Sequence, residues 1–100
     1  MNAGTRLRSA VCDCEVVVVR APSEGPLLQC GGLDMLPLDA ARGEALTPVA
    51  GLDGGTLLGK RYADAAASLE VLCTKAGLGV LAYAGELLEQ RSARALPASD

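Results

Sequence analysis

Hydrophobic residues in this chain come in short runs separated by glycine, proline and charge. Val16-Val17-Val18-Val19 is an unbroken β-branched run, short for a helix and suited to a strand, and Ala21-Pro22-Ser23-Glu24-Gly25-Pro26 is a dense turn signal before Leu27-Leu28-Gln29. The pattern predicts a hairpin. Gly31-Gly32 gives a second turn, and Met35-Leu36-Pro37-Leu38 predicts a short edge strand, where a proline is tolerated. From Asp39 to Gly55 the chain carries four glycines and a proline and shows no period. That stretch predicts a linker or long loop, with a helical turn at Asp39-Ala40-Ala41-Arg42 ended by Gly43. Thr56 to Tyr62, Leu69 to Thr74 and Leu78 to Tyr83 predict three further strands, the last two separated by a turn at Lys75-Ala76-Gly77.

The second half repeats the layout of the first. Placed 53 residues apart without a gap, the halves match at Arg8/Arg61, Ala10/Ala63, Val18/Val71, Leu28/Leu81 and Gly32/Gly85, with apolar pairs at Val16/Leu69, Val19/Leu72, Leu27/Val80 and Met35/Leu88. Strand, turn, strand and glycine turn coincide, which predicts an internal duplication of two units each too small to fold alone. Ala63-Asp64-Ala65-Ala66-Ala67-Ser68 has the alanine content of a helix, but it stands at the place of Cys12 to Glu15 and is read as a turn. The expected organisation is a cysteine-bearing repeat over 5–38, a linker over 39–55, a degenerate repeat over 56–91 and a flexible tail over 92–100.

Composition narrows the function. Half of the 100 residues are hydrophobic, yet Phe and Trp are absent and Tyr62 and Tyr83 are the sole aromatics, so the core must be built from Val, Leu and Ala. A core of this size is small enough that a metal or partner chain is a natural stabiliser. The net charge of −3 and the lack of a basic cluster argue against nucleic acid. No stretch approaches the roughly 20 apolar residues of a membrane span, and the first residues lack the hydrophobic centre of a secretory signal, so the expectation is a soluble cytoplasmic protein.

Four cysteines remain to be explained. Cys12-Asp13-Cys14 and, after fifteen intervening residues, Cys30-Gly31-Gly32-Leu33-Asp34-Met35 put three thiols at two tight turns. In a reducing compartment such clusters are metal ligands more often than disulfides, and Cys12 and Cys14 are too close to bond one another without strain. Thiolates take Zn(II) or Fe tetrahedrally. The chain has no histidine, which removes the usual general base, and no carboxylate sits in an obviously pKa-shifting apolar setting. The protein is therefore expected not to be an enzyme.

Cys14 through Met35 resembles desulforedoxin and the matching N-terminal domain of desulfoferrodoxin, small rubredoxin-like iron proteins with the pattern C-x-x-C, a hairpin, then C-C-G-x-x-M. The match runs without insertion or deletion over about a quarter of the chain. It departs twice: the family's first loop has one residue more between its cysteines, and the second cysteine of its C-C pair is Gly31 here. The resemblance implies that Cys12, Cys14 and Cys30 are ligands. The fourth is then Cys73, an oxygen such as Asp13, water, a partner chain, or absent. Cys73 falls at the position of Arg20 in the gapless alignment, roughly 20 Å along an extended strand from the degenerate ligand position Ala67, and reaches the site only if one copy packs across the other. Its other reading is a small buried hydrophobe.

Together these features predict an all-β protein of two desulforedoxin-like hairpin repeats packed as a pseudo-dimer. Zinc is preferred because it tolerates a substituted ligand and staples a small core, with an Fe(Cys)4 electron-transfer centre as the alternative. The expected role is an accessory or interaction subunit that associates with a protein partner or a second copy, and not with nucleic acid or membrane.

Overall fold

A computed structural model describes residues 1–41 and 47–91. Its strands follow from the alternation of apolar and polar side chains. In β2 (Glu15–Arg20) Val16 and Val18 turn inward and are 1% exposed, and in β7 (Glu70–Lys75) Val71 and Cys73 do the same. β-Branched residues at period two leave one face apolar, and that face must be covered.

Among the described residues the chain is all-β, with no helix. The remaining strands are β1 (Arg6–Arg8), β3 (Leu28–Cys30), β4 (Leu33–Asp34), β5 (Leu36–Pro37), β6 (Arg61–Ala63), β8 (Leu81–Tyr83), β9 (Glu86–Leu87) and β10 (Glu89–Arg91). They form a six-stranded sheet in the order β10-β6-β7-β2-β1-β5 and a four-stranded sheet in the order β4-β3-β8-β9, with every pair antiparallel. Inward residues of both sheets, among them Val16, Val18, Val71, Leu28, Leu81 and Tyr83, meet in one core. Aliphatic packing between two sheets accounts for a core with no Phe or Trp.

The strand pairing differs from the hairpin expected between Val16–Val19 and Leu27–Gln29. β2 pairs with β1 and β7, whereas β3 pairs with β4 and β8, so the proline-rich connection at 21–27 carries the chain from one sheet to the other. Pro22 and Pro26 flank that crossing and cannot donate to a ladder. Pro37 lies in β5 at the sheet edge, as its chemistry requires. Thr56 makes an isolated bridge to Gly77 rather than opening a strand, and the strand expected from Thr56 starts at Arg61. Arg42 and Gly43, the tail over 92–100 and part of the expected linker lie outside the described residues.

The halves share hydrogen bonds at a fixed spacing. Gly4 N–H donates to Val18 O (2.7 Å) and Gly59 to Cys73 (2.9 Å); Val18 donates to Thr5 (2.8 Å) and Cys73 to Lys60 (3.0 Å); Ser9 donates to Cys14 (2.9 Å) and Asp64 to Leu69 (3.3 Å). These pairs are 55 residues apart, not 53. Beyond the sheet crossing the spacing becomes 53, since Met35 donates to Leu28 (2.9 Å) and Leu88 to Leu81 (3.0 Å). The connection at 76–80 is thus two residues shorter than that at 21–27. A shift of two preserves which side chains face inward, so the apolar pattern alone does not reveal it. At the 55-residue spacing Cys73 falls on Val18.

Candidate metal centre

Each thiol is positioned by a different local device. Cys12 and Cys14 lie on the turn between β1 and β2, closed by the Ser9 N–H to Cys14 carbonyl bond. The fully buried Ser9 Oγ accepts from the N–H groups of Val11 (3.0 Å) and Cys12 (3.1 Å) and from the Cys12 thiol (3.3 Å). Cys30 ends β3 and is followed by Gly31 (φ +63°) and Gly32 (φ +94°), a left-handed pair that turns the chain without the strain a side chain would bring. Cys73 arrives from the other half, because antiparallel β7 places it opposite Val16, one inward position from Cys14.

The outcome brings together the four cysteines singled out from the sequence. Cys12 Sγ lies 3.8 Å from Cys30 Sγ. Cys14, Cys30 and Cys73 are at most 1% exposed, and Cys12 is half-buried. None is in a disulfide. Hydrogen bonding with Cys30, then burial, then the nearby Cys30, Cys73 and Cys12 sulfurs push the Cys14 thiol far up from its ordinary value. Cys30 moves the other way: hydrogen bonds from Cys14, Ser9 and Cys12 pull its thiol down against the opposing effect of burial. Burial pushes Cys73 up, and its S–H donates to the Lys75 carbonyl (3.1 Å). Asp13 is exposed on the same turn.

A second layer, not anticipated from the sequence, covers the thiols. The connection at 76–80 lies against them so closely that a Cβ on Gly77 would come within 2.7 Å of Cys12 Sγ, and one on Gly79 within 2.9 Å of Cys30 Sγ. Gly79 N–H donates to Cys12 Sγ (3.4 Å). The connection is held by Thr56, whose buried Oγ1–H donates to Gly79 O (2.7 Å) and whose N–H donates to Gly77 O (2.9 Å). The segment between the halves is tied to both, through Val49 N–H to Gly31 O (2.9 Å) and Val80 N–H to Leu52 O (3.1 Å). Gly-Leu-Gly between two strands, and a serine three residues before Cys12, were the available signals for this layer.

The donor chemistry fits a soft tetrahedral ion. Two sulfurs on one such ion, with metal–sulfur bonds of about 2.3 Å, stand about 3.8 Å apart. Cys12 and Cys30 match that separation, which two thiols in contact also adopt. Among the described residues no group of three or more Cys, Asp or Glu side chains is placed so that it could hold a metal ion. Coordination by all four thiols would require the Cys73 S–H to leave the Lys75 carbonyl. Among the described residues no helix is long and apolar enough to cross a membrane. Comparison with models of known protein families, with curated proteins and with solved structures finds no match.

Proposed function

We propose that the protein is a small, non-catalytic metal-binding protein of a reducing, cytoplasmic setting, holding one zinc ion through Cys12, Cys14, Cys30 and Cys73 and acting as an accessory or interaction subunit with a protein partner or a second copy. The observation that carries the reading is the approach of four thiols drawn from both halves within a core whose other members are aliphatic residues, Met35, Tyr62 and Tyr83. The likeness of Cys14 through Met35 to desulforedoxin supports it, as does the recurrence of turn hydrogen bonds between the halves, which suits two repeats packed as a pseudo-dimer. A bound zinc would supply four bonds that staple a small core.

A specific observation also favours the iron alternative. Zinc suits a site in which three sulfurs hold the ion, whereas with Cys73 as the fourth ligand the set would be the one an Fe(Cys)4 electron carrier needs. Elemental analysis of untagged protein purified without added metal decides between them: one zinc per colourless chain supports the first reading, and one iron in a red protein the second. Cys30→Ser should abolish stoichiometric metal and lower the melting temperature. A wild-type chain that neither carries nor takes up zinc or iron with its thiols reduced would refute both readings.

A further inference from the structure

Cys12 differs from the other three thiols in its access. It lines an open cleft of about 500 Å³ together with Val11, Asp13, Thr56, Leu57 and Gly77, while Cys14, Cys30 and Cys73 do not contribute to that lining and are at most 1% exposed. The same sulfur is 3.8 Å from Cys30 Sγ. A small solute entering the cleft thus meets one sulfur of the cluster, and directly behind it stands a second.

We infer that Cys12 is a peroxide-modification site and Cys30 its resolving thiol. The Cys12 sulfur attacks one oxygen of hydrogen peroxide, the O–O bond breaks, and Cys12 becomes a sulfenic acid as one water leaves. The Cys30 sulfur then attacks the Cys12 sulfur, the S–OH bond breaks, and a Cys12–Cys30 disulfide forms with release of a second water. Two thiols are oxidised and one peroxide is reduced to two waters. The sulfurs must close by about 1.8 Å to reach the disulfide bond length. The Cys12 end has room for this movement, since it borders the cleft, whereas Cys30 is fixed beneath Gly79. An ion held by these sulfurs would lose two ligands at once and be released.

The test uses the full chain, its metal content measured beforehand, treated with one equivalent of hydrogen peroxide and then alkylated. An aspartate-specific protease cutting before Asp13, with trypsin cutting after Arg20, places Cys12, Cys14 and Cys30 on separate peptides for mapping by mass spectrometry. The expected product is a dithiothreitol-reversible Cys12–Cys30 crosslink, accompanied by metal release from loaded protein, and Cys12→Ser should slow oxidation of Cys30 about tenfold or more. If that variant misfolds, the wild-type map alone decides. Oxidation of Cys14 or Cys30 while Cys12 stays reduced overturns the proposal, as does a dimedone-trapped Cys12 sulfenic acid that persists beside reduced Cys30. The crosslink forming in a chain that binds no metal would leave this proposal standing and defeat the metal reading; metal-loaded protein with Cys12 unmodified would do the reverse.

Discussion

Replacing Gly77 with alanine tests the close cover over the thiols. The added methyl would lie 2.7 Å from Cys12 Sγ and 2.7 Å from Cys14 Cβ, with the Cys14 amide nitrogen nearer still. The Cys12 side chain borders the cleft and can swing aside, but the Cys14 backbone is pinned by the Ser9 bond and cannot. The 76–80 connection must therefore lift, straining the two backbone bonds between Thr56 and Gly77 (2.9 and 3.2 Å) and the Thr56 hydroxyl bond to Gly79. Overpacking of this kind costs about 1–3 kcal/mol. For a chain of this size each kcal/mol lowers the melting temperature by about 4–8 °C.

The measurement is thermal unfolding of reduced, chelator-treated protein, paired with the rate at which Ellman's reagent titrates the thiols. Both should move, because lifting the cover exposes Cys14 and Cys30. Gly85→Ala is the control: its φ of +82° makes alanine unfavourable by about 1–2 kcal/mol, but nothing lies within 4 Å of the new methyl and the thiols are untouched. It should melt lower with unchanged thiol rates. A Gly77→Ala protein that melts within about 2 °C of wild type and reacts no faster would refute the packing argument.

Cys73→Val separates ligand from filler, since valine is close in volume to cysteine and suits a strand. Metal-free protein should change by less than about 1.5 kcal/mol while the stabilisation by added zinc disappears; an unchanged response to zinc would remove Cys73 from the ligand set. Asp64 offers a pH test. The Ser68 hydroxyl, then the Leu69 N–H and neighbouring backbone groups, hold its carboxyl below the usual 3.8 against the opposing effect of burial. A lowered folded value means its contribution is full above the unfolded pKa and is lost as pH falls through the folded one. Asp64→Ala should cost about 1–3 kcal/mol near neutral pH, and the gap to wild type should narrow below pH 3.8; a gap constant down to pH 2 would contradict the assignment.

Strand positions were legible because β-branched runs and Gly/Pro breaks act locally. Val16–Val19 and the edge proline Pro37 stand as their chemistry predicts, and the turn after Ala63 stands as the repeat predicted against the helical propensity of its alanines. Pairing was not legible in the same way. An apolar run with one buried face says that something covers it, not which strand, and here the cover comes from the second sheet, while β7 rather than the next strand in sequence is the ladder partner. Cys73 was legible as a candidate but its register was not, because a shift of two residues between the halves keeps the same strand faces inward. Ser9, Gly77 and Gly79 act through backbone contacts that no apolar pattern encodes.

The second half bears on what the sulfurs do for the first. At the positions equivalent to Cys12, Cys14, Cys30 and Cys73 stand Ala67, Leu69, Tyr83 and Val18, yet the Asp64–Leu69 turn keeps the hydrogen bond of the Ser9–Cys14 turn. Leu69 fills its place completely, with 0% exposure. Ala67 adopts φ +57° there, so the backbone accepts even an unfavourable conformation to keep the turn. The turn thus forms with apolar side chains and an Asp cap, without any thiol. Three sulfurs at the corresponding places in the first half, and Cys73 where the first half has Val18, are therefore not demanded by the fold. Aliphatic side chains fill the same space with more apolar area and no burial cost for an ionised thiol. What the sulfurs add, and leucine, alanine, tyrosine and valine do not, is thiol chemistry.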